Sequence, residues 1–315
     1  MTLALITGIT GQDGGYLAEL LVGLGHEVHG VVRDAGEAVA SGVTVHQGNL
    51  ADSGSVGALV RELRPDVIYN LAAVSSVFRS WIEPELTARL NGLVVAELLA
   101  AARELRNDGH AVRFIQASSA EIFGTPDTSP QDESTEVRPT SPYGAAKAYA
   151  HHLVGVYRSA GLFASSVILY NHESPRRPEQ FVTRKITAAA ARISLGMQER
   201  LELGNLDARR DWGWAPDYVD ALYRAASAAE PDDFVVATGV AHSVEDFVRV
   251  AFERAGVDDW RERIDVTPGL LRSGDAAELA GDASRARQKL GWSPTVDFEQ
   301  LVAAMVDNDL ALLRG

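Results

Sequence analysis

The sequence predicts an α/β protein with a doubly wound parallel sheet and a smaller C-terminal domain. Through the first half of the chain, short apolar runs alternate with segments whose apolar residues recur at helical spacing. A glycine-rich turn follows the first apolar run, and the regular alternation stops after Leu169. Repeated strand-helix units form a parallel sheet with helices on both faces, and such sheets bind ligands at the carboxyl ends of their strands. We therefore expect the functional residues directly after strands.

The same patterns predict the individual elements. Strands are predicted at 3–7, 28–32, 43–47, 67–71, 112–117 and 164–169, and helices at 16–24, 53–64, 85–106 and in a segment that begins at Ser141. Farther along, helices are predicted at 186–195 and 244–255, with a strand at 234–237 that returns to the larger domain. We divide the chain into a first domain at 1–170, with a returning segment near 205–240, and a second, substrate-binding domain formed mainly by 171–315.

Composition and charge argue against several classes of protein. The chain of 315 residues is 46% hydrophobic and 23% charged, so it can bury a large core. Its formal net charge of −14 repels polyanions, which argues against binding to nucleic acid or to anionic membranes. The lack of cysteine excludes disulfides and cysteine-based metal sites, and we predict no metal centre. No apolar run approaches the roughly 18 residues of a membrane span, so we expect a soluble, cytoplasmic protein.

Three glycines follow the first predicted strand. Gly8, Gly11 and Gly14 have the spacing G-x-x-G-x-x-G and open a helix, which lets the backbone approach a pyrophosphate and direct helix N–H groups at it. A glycine-rich turn alone is weak evidence. This one lies between a strand and a helix, as the dinucleotide fingerprint requires. Residues 1–170 are therefore predicted to form a Rossmann-type dinucleotide-binding domain.

The end of the second predicted strand bears on the choice of cofactor. Dinucleotide folds that select NAD usually place an acidic residue there to bind the ribose 2′-hydroxyl, whereas an arginine accommodates the 2′-phosphate of NADP. Arg33 ends this strand and favours NADP. Asp34 beside it is able to pair with the guanidinium group or to bind the ribose, so NAD stays open as the less favoured alternative.

Tyr143 and Lys147 lie one helical turn apart in the run Ser-Pro-Tyr-Gly-Ala-Ala-Lys. Ser141 suits a helix cap and Pro142 suits the first helical position. The tyrosine and the lysine therefore project from one helix face, where an ammonium group favours the phenolate and lowers the pKa of the phenol. The alternative is a surface helix with an exposed lysine, and the other motifs of the chain make it the weaker interpretation.

Two polar side chains follow the fifth predicted strand. Glu121 lies two residues beyond the hydroxyl group of Ser119. Its carboxylate is a candidate base for a second proton transfer, which a simple ketoreductase or epimerase does not need. The alternative is a loop carboxylate that faces water.

These motifs resemble a known group of enzymes. The three glycines, followed later by Tyr-x-x-x-Lys, are similar to the extended short-chain dehydrogenase/reductase superfamily. Runs at 8–15, 69–75, 141–147, 171–177, 181–185, 204–213 and 217–220 resemble the GDP-mannose 4,6-dehydratase family, above all Asn-His-Glu-Ser-Pro-Arg-Arg at 171–177 and Arg-Asp-Trp-Gly at 210–213. The likeness covers nearly the whole chain.

The resemblance implies the members of the site. It implies that Ser119 hydrogen-bonds the substrate hydroxyl being oxidised, beside Tyr143 and Lys147. Cofactor contacts are expected from Gly8, Thr10, Gly11, Gln12, Asp13, Gly14, Arg33, Asn49, Leu50, Leu71, Ala72, Ala73, Ser75, Tyr143, Lys147, His172 and Arg177. A pocket for a nucleotide-diphosphate sugar, with a GDP-sugar favoured, is expected from Ser119, Glu121, Asn171, Lys185, Arg210 and Arg272. Guanidinium groups suit this role because they clamp a diphosphate in an otherwise acidic protein.

The implied reaction is an internal oxidation and reduction. Tyr143, helped by Lys147 and Ser119, removes the 4-hydroxyl proton while the C4 hydride passes to NADP. Glu121 then takes the C5 proton and assists loss of the 6-hydroxyl as water, and the hydride returns to C6, which leaves a 4-keto-6-deoxy sugar nucleotide. Two alternatives stay open: a sugar-nucleotide epimerase or 4-ketoreductase on the same fold, and a non-catalytic NADP-binding protein.

The chain departs from the family in several loops. Only nine residues separate Arg33 from Val43, where relatives carry a longer insertion that touches a neighbouring subunit. Leu86 replaces a tyrosine that contacts the cofactor in relatives. The segments 178–180 and 272–275, which are expected near the sugar nucleotide, also differ from the family pattern, so the exact sugar and base stay open. We expect a homodimer paired through the helices near 85–106 and 143–160, with apolar surface from Leu98, Leu99, Leu153 and Val154.

Overall fold

Strands and helices alternate along most of the protein, and a computed structural model describes residues 2–34, 36–52, 54–267 and 277–315. The strands are β1 (Leu3–Thr7), β2 (Glu27–Val32), β3 (Val43–Gln47), β4 (Val67–Asn70), β5 (Arg113–Ser119), β6 (Phe163–Leu169), β7 (Asn171–Glu173), β8 (Leu201–Leu203), β9 (Arg209–Trp214), β10 (Asp233–Val236), β11 (Ala241–Ser243), β12 (Ile264–Val266) and β13 (Glu278–Leu279). The helices are α1 (Gln12–Gly23), α2 (Ser55–Leu63), α3 (Val77–Ile82), α4 (Pro84–Ala88), α5 (Val94–Asn107), α6 (Pro142–Ser159), α7 (Val182–Ser194), α8 (Ala215–Ser227), α9 (Val244–Ala255), α10 (Ser284–Leu290) and α11 (Phe298–Arg314).

Seven parallel strands form the main sheet, in the order β3-β2-β1-β4-β5-β6-β10. The doubly wound parallel sheet predicted from the sequence is confirmed. The strand order reverses at β1, which pairs with both β2 and β4, and such a reversal opens a ligand crevice at the carboxyl ends of the strands. β10 adds to the edge beside β6, with Phe234 opposite Val167. The division of the chain near residue 170 stays a prediction.

Apolar side chains cover both faces of the main sheet. Leu5 and Ile6 are neighbours in β1 and belong to different clusters, because successive residues of a strand point to opposite faces. Helices α1 and α8 pack over one face, and α2, α5 and α6 pack over the other. A third cluster joins α7, α9 and α11 through residues such as Phe247 and Met305. Within the described ranges, no helix has both the length and the apolar character needed to cross a membrane.

The predicted helix at 85–106 is right in its bounds but wrong in its interior. Helix α4 begins at Pro84, a π-helical turn follows at Arg89–Leu93, and α5 continues without a break to Asn107. Asn91 is buried in this turn, where its side chain accepts a hydrogen bond from the Val74 N–H at 2.7 Å and donates one to the Val74 carbonyl at 3.1 Å. The π-helical turn thereby ties the loop after β4 to the helices. Such turns are frequent at functional sites.

The apolar surface predicted for subunit pairing is also wrong. Leu98, Leu99 and Val154 are fully buried in the core of their own chain, and Leu153 is partly buried against it. The apolar stripe of each helix faces the sheet, which offers more apolar contact than solvent does. The exposed apolar side chains of this region are Phe78, Trp81, Ile82, Leu93, Tyr149 and Val156.

Candidate active site

The glycine-rich motif between β1 and α1 has no room for a side chain at two of its three glycines. Gly8 has a φ of +72°, and a Cβ atom there would lie 2.7 Å from the backbone nitrogen of Ala72. A Cβ atom at Gly14 would lie 2.2 Å from the Gly8 carbonyl oxygen. Helix α1 begins at Gln12, earlier than the sequence predicts, so the loop leads directly into the first helical turn. A bare backbone at a helix N-terminus fits the pyrophosphate of a dinucleotide.

Residues in and after β7 hydrogen-bond two side chains in the first turn of α1, Gln12 and Asp13. Nε2 of His172 lies 2.8 Å from the Asp13 carboxylate, and Nδ1 lies 2.7 Å from the Tyr170 carbonyl oxygen. Both ring nitrogens face acceptors, so the imidazolium form makes both bonds. Burial opposes that form, but the charge of Asp13, its hydrogen bond and the hydrogen bond to the Tyr170 carbonyl together outweigh burial and raise the pKa of His172. Gln12 donates to the His172 carbonyl at 3.2 Å and accepts from Ser174 at 2.8 Å.

Tyr143 and Lys147 are both buried, at 9% and 3% exposure. The Lys147 ammonium group donates to the Ala117 carbonyl at 2.8 Å and lies 5.9 Å from the centre of the Tyr143 ring. Ser119 ends β5 and hydrogen-bonds the Tyr143 side chain. The structure thus brings together the hydroxyl, the phenol and the ammonium group that the sequence singled out.

The ionisation of Tyr143 differs from the expectation. Burial raises the pKa of Tyr143 to about 12, although the hydrogen bond from Ser119 acts in the opposite direction. Burial also lowers the pKa of Lys147 to about 8. The net shift of Tyr143 is therefore opposite to the one expected beside an ammonium group, because loss of hydration outweighs the groups that lower its pKa, Ser119 and Arg177.

Glu121 lies in a short 3₁₀ turn directly after Ser119. Its backbone N–H donates to the Ser119 hydroxyl at 3.2 Å, its side chain is half-buried, and its charge contributes to the raised pKa of Tyr143. The turn packs against the start of α6, where a Cβ atom at Gly144 would lie 2.5 Å from the Glu121 carbonyl oxygen. Sequence reasoning missed the role of Gly144, although a glycine directly after the tyrosine is a detectable signal.

The first turn of α6 is also held by a residue that sequence reasoning missed. Ser80 of α3 is buried, and its hydroxyl accepts from the Tyr143 N–H at 3.2 Å. Ser141 caps the same helix by accepting from the Gly144 N–H at 3.0 Å, as the sequence predicts. No motif marks Ser80, because its contact joins two segments far apart in the chain.

Besides Ser119 and Glu121, the described residues predicted to bind the nucleotide sugar lie on β7, α7 and β9. Asn171 begins β7, which pairs with β9. The ammonium group of Lys185 donates to a backbone carbonyl of β8 at 2.6 Å, and Arg210 in β9 is only 8% exposed. Arg272 lies outside the described residues.

Arg177 is held by the ring of Phe181 and the carboxylate of Glu173. Its guanidinium carbon stacks 3.7 Å from the centre of the Phe181 ring, and its Nε lies 3.2 Å from the buried Glu173 carboxylate. Its charge acts on both Asp13 and Tyr143. Arg177 and His172 therefore both lower the pKa of Asp13.

The other predicted cofactor residues follow the carboxyl ends of the central strands. Arg33 is exposed after β2, and the Asn49 side chain accepts from the Ala51 N–H at 3.0 Å in the turn after β3. The Ala72 N–H donates to the Thr7 hydroxyl at 3.2 Å beside Gly8. The remaining members are Thr10 and Gly11 on the glycine loop, Leu50 after β3, and Leu71, Ala73 and Ser75 after β4.

Comparison with known proteins identifies the family. A family model described as GDP-mannose 4,6 dehydratase matches residues 5–305. The chain belongs to the GDP-mannose 4,6-dehydratase family. A GDP-mannose 4,6 dehydratase of Arabidopsis thaliana is 44% identical over 99% of this chain and 88% of its own length, and one of Sinorhizobium fredii is 43% identical over 99% and 98%. The UDP-glucose 4-epimerase of Thermus thermophilus, solved in complex with NAD, has a TM-score of 0.84 and 28% identity over 98% of each chain.

Membership of the GDP-mannose 4,6-dehydratase family confirms the resemblance read from the motifs. It also confirms the expected class of enzyme, a hydro-lyase that dehydrates a sugar nucleotide between positions 4 and 6. The two alternatives, an epimerase or ketoreductase and a non-catalytic binding protein, are not favoured. A nicotinamide cofactor and a nucleotide-sugar substrate are supported, while the roles of individual residues stay predictions.

Proposed function

We propose that this protein converts GDP-mannose, or a close GDP-sugar, to the GDP-4-keto-6-deoxy sugar. The observation that carries the proposal is the buried pair Tyr143 and Lys147 next to Ser119, with Glu121 in the adjoining turn. The reaction oxidises C4 and removes water across C5 and C6, so it needs one proton transfer from the 4-hydroxyl group and another from C5 to the departing 6-hydroxyl group, and C5 regains a proton when the hydride returns to C6. A phenol and a carboxylate near one another provide a group for each.

We assign the first proton transfer to Tyr143. It takes the proton of the 4-hydroxyl group, Ser119 hydrogen-bonds the same oxygen, and Lys147 supplies positive charge. These roles are supported by the hydrogen bond between Ser119 and the phenol and by the short distance from Lys147 to the ring.

We assign the second proton transfer to Glu121. A ketone at C4 acidifies the neighbouring C5 proton, which a carboxylate is able to accept. The carboxylic acid so formed is then able to protonate the 6-hydroxyl group as it leaves as water. The half-buried position of Glu121 beside Ser119 supports this role.

A nicotinamide dinucleotide fits the loop between β1 and α1, and NADP is favoured over NAD. Once bound, it supplies reversible hydride transfer at the sugar. Gly8, Gly11 and Gly14 leave the backbone bare for its pyrophosphate, and the first turn of α1 offers N–H groups. The preference for NADP rests on Arg33, whose guanidinium group suits a 2′-phosphate.

The diphosphate of the substrate requires local positive charge, because the protein as a whole is acidic. We assign this binding to Lys185, Arg210 and Arg272, with Asn171 as a hydrogen-bonding partner. Guanidinium and ammonium groups offset the charge of two phosphate groups, and an amide adds a hydrogen bond.

We further propose a cytoplasmic homodimer. The lack of cysteine suits a reducing compartment. The exposed apolar side chains on α3 and α6, together with Leu93, provide a surface for a second copy of the chain.

One experiment tests the activity directly. Purified protein is incubated with GDP-mannose and other nucleotide sugars, and the products are analysed by mass spectrometry. Dehydration removes the mass of one water from the GDP-sugar. Unchanged mass with an altered sugar would indicate epimerisation, and a gain of two hydrogens that requires added NADPH would indicate reduction; either result would contradict the proposal.

A further inference from the structure

The turn after β2 holds a carboxylate on a set of donors suited to an anion. One oxygen of Glu37 accepts hydrogen bonds from the backbone N–H groups of Arg33 and Asp34, each at 3.0 Å. Successive N–H groups that converge on one oxygen form a concavity of the kind that binds phosphate. A side chain of the same turn lies in that concavity here.

Two further groups act on the same carboxylate. The hydroxyl group of Thr10, in the glycine-rich loop, donates a hydrogen bond to Glu37, and the Arg33 guanidinium group attracts it. The N–H of Asp34, together with these groups, lowers the pKa of Glu37, so the carboxylate is ionised at neutral pH. Glu37 thereby bridges the end of β2 and the glycine-rich loop.

Contacts with the rest of the chain hold the turn in this shape. Gln47, at the end of β3, donates to the Arg33 carbonyl at 3.1 Å. The N–H of Glu37 donates to the Asp34 carbonyl at 3.0 Å. The donors that face the carboxylate are therefore arranged by the backbone and would stay in place if the Glu37 side chain turned away.

This position is the one at which dinucleotide folds distinguish their cofactors. An acidic side chain at the end of the second strand accepts a hydrogen bond from the ribose 2′-hydroxyl of NAD, and an arginine accommodates the 2′-phosphate of NADP. The chain presents both groups, with Arg33 at the end of β2 and Glu37 held beside it. A 2′-phosphate would require the same donors that Glu37 engages.

We propose that Glu37 is the residue that limits the preference for NADP. Its carboxylate competes with the 2′-phosphate for Arg33, Thr10 and the two N–H groups of the turn. The 2′-hydroxyl of NAD is neutral and donates to a carboxylate, so NAD does not require Glu37 to move. The inference rests on the proposed function, in which this domain binds a nicotinamide dinucleotide.

Binding measurements on protein freed of nucleotide test the inference without reference to activity. Titration calorimetry gives the Kd of NADP and of NAD for the unmodified protein, Glu37→Gln and Glu37→Ala. We expect both variants to bind NADP about three- to tenfold more tightly, because the competing charge is gone but the site is exposed to solvent. NAD should bind equally well or more weakly. The fragments 2′,5′-ADP and 5′-AMP should show the same contrast without the nicotinamide half.

Glu230→Gln is the control, because it removes the same charge from an exposed position outside the turn after β2. Its effect on NADP affinity should be smaller than that of Glu37→Gln, and thermal unfolding checks that each variant is folded. The inference would be overturned if the control changed the NADP affinity as much as Glu37→Gln does. It would also be overturned if the Glu37 variants changed the Kd of NADP and of NAD equally, or left the Kd of NADP unchanged. If the unmodified protein bound neither dinucleotide, both the proposed function and the inference would be refuted. If the Glu37 variants bound the dinucleotides with the same preference as the unmodified protein, only the inference would be refuted.

Discussion

His172 and Asp13 join the strand β7 to the glycine-rich loop by an ion pair whose closest atoms lie 2.8 Å apart. The two residues are separated by 159 positions in the chain, and their side chains are only 11% and 22% exposed. Asp13 also lies in the first turn of α1, where the helix dipole favours a negative charge. The pair therefore fixes the position of the loop relative to the residues that follow β6.

Replacing His172 by asparagine should lower the free energy of unfolding by about 2 to 4 kcal/mol near pH 5, because it leaves a largely buried carboxylate without its cation. The pair raises the pKa of His172 above 6.5, so its contribution is complete below that value and is lost as pH rises through the raised pKa. The same ion pair lowers the pKa of Asp13 below 3.8. The stabilisation from the ionised carboxylate is therefore complete above pH 3.8 and is lost as pH falls through the lowered pKa.

The difference between the parent protein and His172→Asn should therefore be largest between about pH 4 and pH 6.5, and smaller at pH 9. Urea denaturation across this range measures it. Asp13→Asn, alone and combined with His172→Asn, completes a double-mutant cycle that isolates the interaction. A difference that does not vary with pH would mean that the two side chains contribute through packing alone.

Glu121→Gln should separate the two proton transfers. The amide has nearly the same shape but cannot accept the C5 proton, so dehydration should fall by about 10² to 10⁴ while the affinity for the sugar nucleotide changes little. Product analysis and absorbance of the reduced cofactor follow the two steps. Tyr143→Phe is the comparison, since it should block the first step and give no reduced cofactor. If Glu121→Gln dehydrated the substrate as fast as the parent protein, Glu121 would have no part in the second proton transfer.

Arg33→Ala should narrow the preference for NADP about tenfold, because it removes a charge-assisted contact with the 2′-phosphate. The Kd values of NADP and NAD measure the change. Arg61→Ala is the control, because it removes an exposed guanidinium group from α2 without touching the turn after β2. Equal affinity of the unmodified protein for the two cofactors would refute the assignment of NADP.

Gly14→Ala should destabilise the protein by about 1 to 3 kcal/mol or more, since the new Cβ atom would meet the backbone of Gly8 and Ile9. Gly23→Ala is the matched control at the other end of α1, where a Cβ atom meets nothing within 4 Å. It should be neutral or slightly stabilising because alanine favours helix. Thermal unfolding compares the two, and similar effects would mean that the loop adapts to a side chain.

Light scattering at micromolar concentration should show a dimer. Val156→Lys places a charge on the exposed apolar surface of α6 and should shift the protein toward the monomer. Leu312→Lys changes an equally exposed apolar residue on α11, away from this surface, and should leave the assembly unaltered. A monomeric parent protein would contradict the proposed pairing.

Local sequence alone predicted the sheet and much of the candidate site. The strands are short apolar runs whose burial depends mainly on their own composition, so the predicted strand at 3–7 coincides with β1. The cap at Ser141 and the spacing of Tyr143 and Lys147 also follow from one helical turn. The glycine loop was recognisable because its conformation demands the absence of a side chain.

Tertiary structure decided the properties that depend on residues remote in the chain. The raised pKa of Tyr143 results from its burial, which no local pattern around it reveals. The contact from Ser80 and the turn around Asn91 depend on how α3 and the loop after β4 pack. The carboxylate of Glu37 meets Thr10 because β1 and β2 are neighbours in the sheet. Spacing along a chain determines which side chains share an element, whereas hydration, charge and hydrogen bonding at a site depend on which elements meet there.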